Sequence, residues 1–204
     1  MGAATKFTAS MILDVAEQVI AASGVAGASI AAIARACGAP NGSIYHRFES
    51  RQHLIGALWV RIATEYLTTL SASLDGPAPD LAATVVNHTF DWVAENPSRA
   101  ELLMRFRTED FAPGDWPPGV VEQIEATNAA LAAELLGVAQ RLNLHPLDVT
   151  VAVIDIPAAA ARRSLLLRTP AATEHLRQRA IQLSGTLLAP QQAAPSVRKS
   201  GRKR

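Results

Sequence analysis

Apolar residues recur along the chain at helical spacing almost everywhere, and no stretch alternates apolar and polar with the period of two that paired strands require. The pattern predicts an all-α protein. Breaks fall at Gly24 to Ala28, Gly38 to Pro40, Glu49 to Ser50, Gly76 to Pro79, Asn96 to Pro97, Pro113 to Gly119, Asn143 to Pro146 and Thr169 to Pro170, which leaves about nine helices. "VTVAVIDIP" from Val149 is rich in β-branched residues, but it has no partner strand to take its backbone donors, so it is expected to be helical and bent or interrupted at Pro157.

The first short helices carry the sharpest local signals. In "ASIAAIARACG", Ile30, Ile33, Ala34 and Cys37 mark one buried face, Ser29 is placed as N-cap, and Gly38 stands just beyond the end, where a left-handed turn is needed. A second helix begins after Pro40, and two helices joined by about three residues form a helix-turn-helix. On a wheel of about 100° per residue, Ile44 and Phe48 share the inner face. Gly42, Ser43 and His46 lie opposite, flanked by Tyr45 and Arg47, while Asn41 points along the axis from the first turn. That face suits DNA: Gly42 removes bulk, Ser43 and His46 hydrogen-bond base edges, and Tyr45 and Arg47 hold phosphates. Arg51 follows the expected N-cap Ser50, where the helix dipole disfavours a cation, and a phosphate there would reverse the penalty.

Composition sharpens this picture by exclusion. The 204 residues are 49% hydrophobic, enough for a sizeable core, and the apolar runs are interrupted by charges. The start "MGAATKFTAS" has no export-signal pattern. A soluble cytoplasmic protein is expected, with no membrane partner, and the lone Cys37 fits a reducing compartment. The net charge of +1 is unevenly spread. Residues 1 to 61 hold 5 basic and 3 acidic side chains, residues 62 to 195 hold 9 and 15, and the last nine hold 5 basic and none acidic. Basic ends on an acidic middle suggest a polyanion partner at one end. No glycine-rich phosphate loop, metal-ligand spacing or nucleophile motif is present, so neither an enzyme nor a cofactor or metal site is expected.

Together the residues of "ILDVAEQVIAASGVAGASIAAIARACGAPNGSIYHRFESRQHLIGAL" resemble the tetracycline-repressor (TetR) family of transcriptional regulators over roughly residues 8 to 60. Ile12-Leu13, Gly24, Ile33-Ala34, Gly38, Gly42, Tyr45, Phe48 and Leu54 carry the likeness. The resemblance implies a three-helix DNA-binding domain (residues 1–50), a helical effector-binding and dimerisation domain (51–190) and a basic tail (191–204). It also implies base reading by Asn41, Ser43 and His46, and phosphate contacts from Ser29, Tyr45, Arg47 and Arg51. Pro40 and Asn41 depart from the family, in which Ser and Lys are frequent at these positions.

Beyond residue 60 the effector pocket must be argued from the residues themselves. His88 and Trp92 lie on one stripe of a helix that is apolar around most of its circumference, and Asn128 is the polar member of a stripe running from Val121 to Val138. Two polar groups among apolar neighbours suit an effector, with Met104, Phe106, Phe111 and Trp116 available to line or close the pocket. The function expected is a homodimeric repressor, bound to a near-palindromic double-stranded DNA operator and released by a small molecule. The alternative is a small-molecule-binding or protein-interaction module whose helix-turn-helix no longer binds DNA usefully.

Overall fold

A computed structural model describes residues 7–105 and 118–189, all of whose regular structure is helical. In chain order the helices are α1 (Ala9–Gly27), α2 (Ile30–Cys37), α3 (Asn41–Tyr45), α4 (Arg51–Ser71), α5 (Ala78–Glu95), α6 (Pro97–Arg105), α7 (Pro118–Leu142), α8 (Pro146–Thr150), α9 (Ile156–Leu167) and α10 (Pro170–Leu188). Residues Val151–Asp155 between α8 and α9 form a π-helical turn. The segment from Val149, rich in β-branched residues, is therefore helical throughout, as expected. Pro157 neither breaks nor ends it, because the wide turn just ahead absorbs the proline in the first turn of α9.

Each early boundary has a local cause. Gly24 adopts φ 70°, ψ 170° and kinks the end of α1. The Ser29 hydroxyl accepts from the Ala32 N–H at 3.1 Å, and Gly38 closes α2 at φ 64°. At the head of α4 the Ser50 hydroxyl accepts from the His53 N–H at 3.0 Å. Ile12, Ala16, Ile20, Ile33, Ile44, Phe48 and Leu54 are then buried at the N-terminal end of one continuous core.

α1 has the length and apolarity of a membrane span, yet Ile12, Leu13, Ala16, Ile20 and Val25 are buried in the fold. Its acidic side chains are bound as well. Arg61 of α4 contacts Asp14 and Glu17 at 2.6 and 3.0 Å, and Arg99 of α6 bridges Glu17 to Glu65 of α4.

α4, α6, α9 and α10 pack on α5, which is apolar on most sides as its sequence predicts: Leu81, Val85, Val86, Phe90, Trp92 and Val93 are all buried. α9 and α10 lie against it and against each other. Ser184 of α10 is fully buried and donates to the Ala152 carbonyl in the π turn at 2.7 Å. A carbonyl freed by the irregular helix thus finds a donor within the fold. Leu147, Val151, Leu166, Leu167 and Leu183 are left exposed on α8 to α10 and the π turn.

Candidate functional site

The reading face stands on two anchors. Ile44 and Phe48 are buried, and their burial turns Asn41, Gly42, Tyr45 and His46 outward, with Ser43 and Arg47 half-exposed. α3 itself is only five residues long, but backbone bonds from the His46, Arg47 and Phe48 N–H groups continue the turn, so the wheel positions hold through Phe48. Tyr45 is 53% exposed, unusual for a large ring with no packing duty. Gly42 has open space around a would-be Cβ and a helical backbone, so nothing inside the protein requires glycine there. Ser29 is exposed at the start of α2, its hydroxyl engaged as the cap.

Arg51 corrects the sequence reading. Its guanidinium turns inward: Nε donates to the Ala28 carbonyl at 2.8 Å, and Nη2 donates to the Val25 carbonyl. These carbonyls lie in the turn beyond the Gly24 kink at the end of α1, and as hydrogen-bond acceptors they offset the penalty of a cation at the head of α4. Arg51 is a clasp between α1 and α4, and the anion inferred for it is replaced by backbone oxygens.

Sequence reasoning missed His53, which is buried under the same corner. Its Nδ1 accepts from the Glu49 N–H at 3.2 Å, its ring meets Phe48 edge-on at 6.0 Å, and its Nε2 is buried without a hydrogen-bond partner. A histidine three residues after a serine N-cap was the available signal.

The second concavity is a cavity of about 1040 Å³ between the end of α5, α6, the end of α9 and the start of α10. Met104 lines it, together with Phe90, Val93 and Leu165, and with Arg162, Arg168, Arg177 and Glu101. Three other residues expected in an effector pocket do not line this cavity. His88 and Trp92 belong to an aromatic cluster between α4 and α5: the Trp92 ring lies 4.8 Å from that of Tyr66, and His88 Nε2 sits 3.2 Å from the Thr69 hydroxyl. Tyr66 and the buried Thr89 share a hydroxyl bond of 2.9 Å in the same cluster. Burial pushes the Tyr66 phenol up, and it pulls His88 down against the opposing pull of Asp91 and Glu95. Asn128 is exposed, because α7 buries residues only from Leu135 onward. Phe106, Phe111, Trp116 and the basic tail lie outside the described residues.

The arginines that do line the cavity were hidden by averaging. Residues 160–180 hold five arginines and a single acid, Glu174, inside a domain whose overall charge is negative.

Residues 12–58 match the family model of bacterial regulatory proteins, tetR family. The N-terminal unit is a tetR-family DNA-binding domain. No curated protein matches the sequence. Among solved structures, a tetR family transcription regulator from Shewanella sp. PV-4 superposes with a TM-score of 0.62 at 20% identity, covering 90% of this chain and 97% of that one. FadR from Bacillus subtilis, in complex with stearoyl-CoA, gives 0.61 at 16% identity over 86% and 96%. SmeT, the repressor of the Stenotrophomonas maltophilia multidrug efflux pump SmeDEF, gives 0.61 at 16% over 93% and 97%. The chain thus shares the whole tetR-family regulator fold, and its helix-turn-helix is the family's DNA-binding element.

Proposed function

We propose that this tetR-family protein is a homodimeric transcriptional repressor that binds a near-palindromic operator and is released by a small-molecule effector. The observation that carries the reading is the outward face of α3, where Gly42 and the exposed Tyr45 serve no packing need. On this reading Asn41, Gly42, Ser43 and His46 meet base edges, and Ser29, Tyr45 and Arg47 meet phosphates.

The exposed leucines of α9 and α10 favour a second copy. Paired about a two-fold axis, these helices would form a four-helix interface and hold two reading helices about one DNA turn apart. SmeT is by its description a repressor, and FadR is described with a bound acyl thioester, so both roles occur on this fold.

The route from effector to operator runs through α6. Pro97, Ser98 and Met104 face the cavity, while Arg99 on the same helix grips Glu17 of α1. A ligand that moves α6 therefore pulls on the reading unit, with a coupling on the order of 1–3 kcal/mol. Selection of bound duplexes from a random pool tests the core of this reading. An inverted repeat is expected, and recovery of no preferred sequence overturns it.

The withdrawal of Arg51 from the surface favours a second reading, in which the fold keeps its effector site but has lost useful DNA affinity. A salt titration separates the two: a steep negative log-log slope on the selected duplex supports the repressor, and absence of duplex binding at low salt supports the alternative.

A further inference from the structure

The cavity beside α6 has a mixed lining: Phe90, Val93, Ala94, Met104 and Leu165 supply apolar surface and Arg162, Arg168 and Arg177 supply positive charge, with Glu101 as the one lining carboxylate among the described residues. The Arg162 and Arg168 side chains make no hydrogen bond or ion pair among the described residues. Arg177 is fixed in place: it contacts Asp91 at 2.8 Å and Asn87 at 3.3 Å, lies 5.2 Å over the Phe90 ring, and has Glu174 3.9 Å from its Nε. That Nε is nevertheless buried without a hydrogen-bond partner. Arg168 holds φ 53°, a left-handed backbone that glycine would adopt without strain, and so keeps a guanidinium at the cavity wall where a relaxed residue would supply none.

We infer that this cavity takes an amphiphile with an anionic carboxylate or phosphate head and an apolar chain, the inference resting on the reading of the cavity as the effector site. The planar guanidinium fork matches both head groups bidentately, and Arg162 and Arg168, which are not spent on a carboxylate as Arg177 is on Asp91, disfavour a cationic ligand. The apolar lining residues offer no partner to a second charge and suit a hydrocarbon chain. A volume of about 1040 Å³ accommodates head and chain together.

Calorimetric titration of the full chain with decanoate, decyl phosphate, decanol and decyltrimethylammonium, each below its micellar concentration, tests this with the chain length held constant. At least one anion is expected to bind about ten-fold or more tighter than decanol, with the cation weakest. The rank of decanoate against decyl phosphate identifies the head group. The double variant Arg162→Gln/Arg168→Gln is expected to weaken anion binding by about ten-fold while leaving decanol within about two-fold. Equal or tighter binding of decanol or the cation, no binding by any of the four, or unchanged anion affinity in a folded double variant overturns the inference. The series on the unmodified protein stands even if the variant fails to fold. Operator release measured in parallel separates the two proposals. Release by the cation or by decanol leaves the regulator reading standing and overturns only the anion, whereas anion binding without release supports the cavity's chemistry and removes its role as effector site.

Discussion

The reading unit and the larger helical domain are built by different rules. In the first, nearly every boundary is set by a residue acting on its immediate neighbours: Ser29 and Ser50 cap, Gly24 and Gly38 turn, and Ile44 with Phe48 orient the face. In the second, the decisive contacts join residues far apart, such as Tyr66 with Thr89, Arg177 with Asp91, and Ser184 with the Ala152 carbonyl. Local chemistry fixes where a helix starts and which face it hides. Distant contacts decide which helices enclose a cavity, and those can change ligand without disturbing the caps.

Four substitutions sharpen that contrast, in descending order of expected effect on stability. Phe48→Ala removes the anchor of the reading face and is expected to cost about 3–5 kcal/mol, visible as a large fall in the thermal midpoint together with loss of duplex binding. Arg51→Ala leaves the Ala28 carbonyl without its side-chain donor and the Val25 carbonyl with only the Ala28 N–H, and a loss of about 1–3 kcal/mol is expected by denaturant titration. The same variant checks the clasp: its salt slope on duplex DNA should match that of the unmodified protein, whereas a slope smaller by about one would make Arg51 a phosphate contact after all. Gly42→Ala should act in opposite directions on fold and function. Its Cβ meets nothing, so the helix gains about 0.5–1 kcal/mol, while operator affinity falls.

The smallest effect belongs to the domain of distant contacts. His88 is half-buried and its imidazole is held below the ordinary value of 6.5, chiefly by desolvation. The unfolded chain therefore takes up the proton first as pH falls. Stability present above 6.5 is lost on the way down to the folded value, and below that value the loss stops growing. His88→Gln should flatten this part of the stability profile, measured by urea unfolding at stepped pH; an unchanged profile would assign the acid sensitivity to other groups.

The same contrast explains what could be read in advance. The all-α class, the helix-turn-helix, the inward Ile44 and Phe48 and the central α5 were legible because each follows from periodicity and caps within a few residues. Arg51 misled because its partners precede it by 23 and 26 residues, beyond the reach of any local pattern. Asn128 misled because a stripe says which side of a helix is apolar, not how much of its length is covered by neighbours. The cavity arginines were visible as a local excess of charge, but only the packing of α9 and α10 beside α5 turns them toward a common space.

The π turn at Val151–Asp155 also has a genealogical reading. Such a turn amounts to one residue inserted into an ordinary α-helix, and each inserted residue rotates the downstream part of the helix by about 100°. The face carrying Arg162, Leu166 and Leu167 is aimed where it is because of that extra residue. Deleting one position there would restore a regular helix and swing the face toward a different neighbour, so the surface that α9 presents can be re-aimed by length as readily as by substitution.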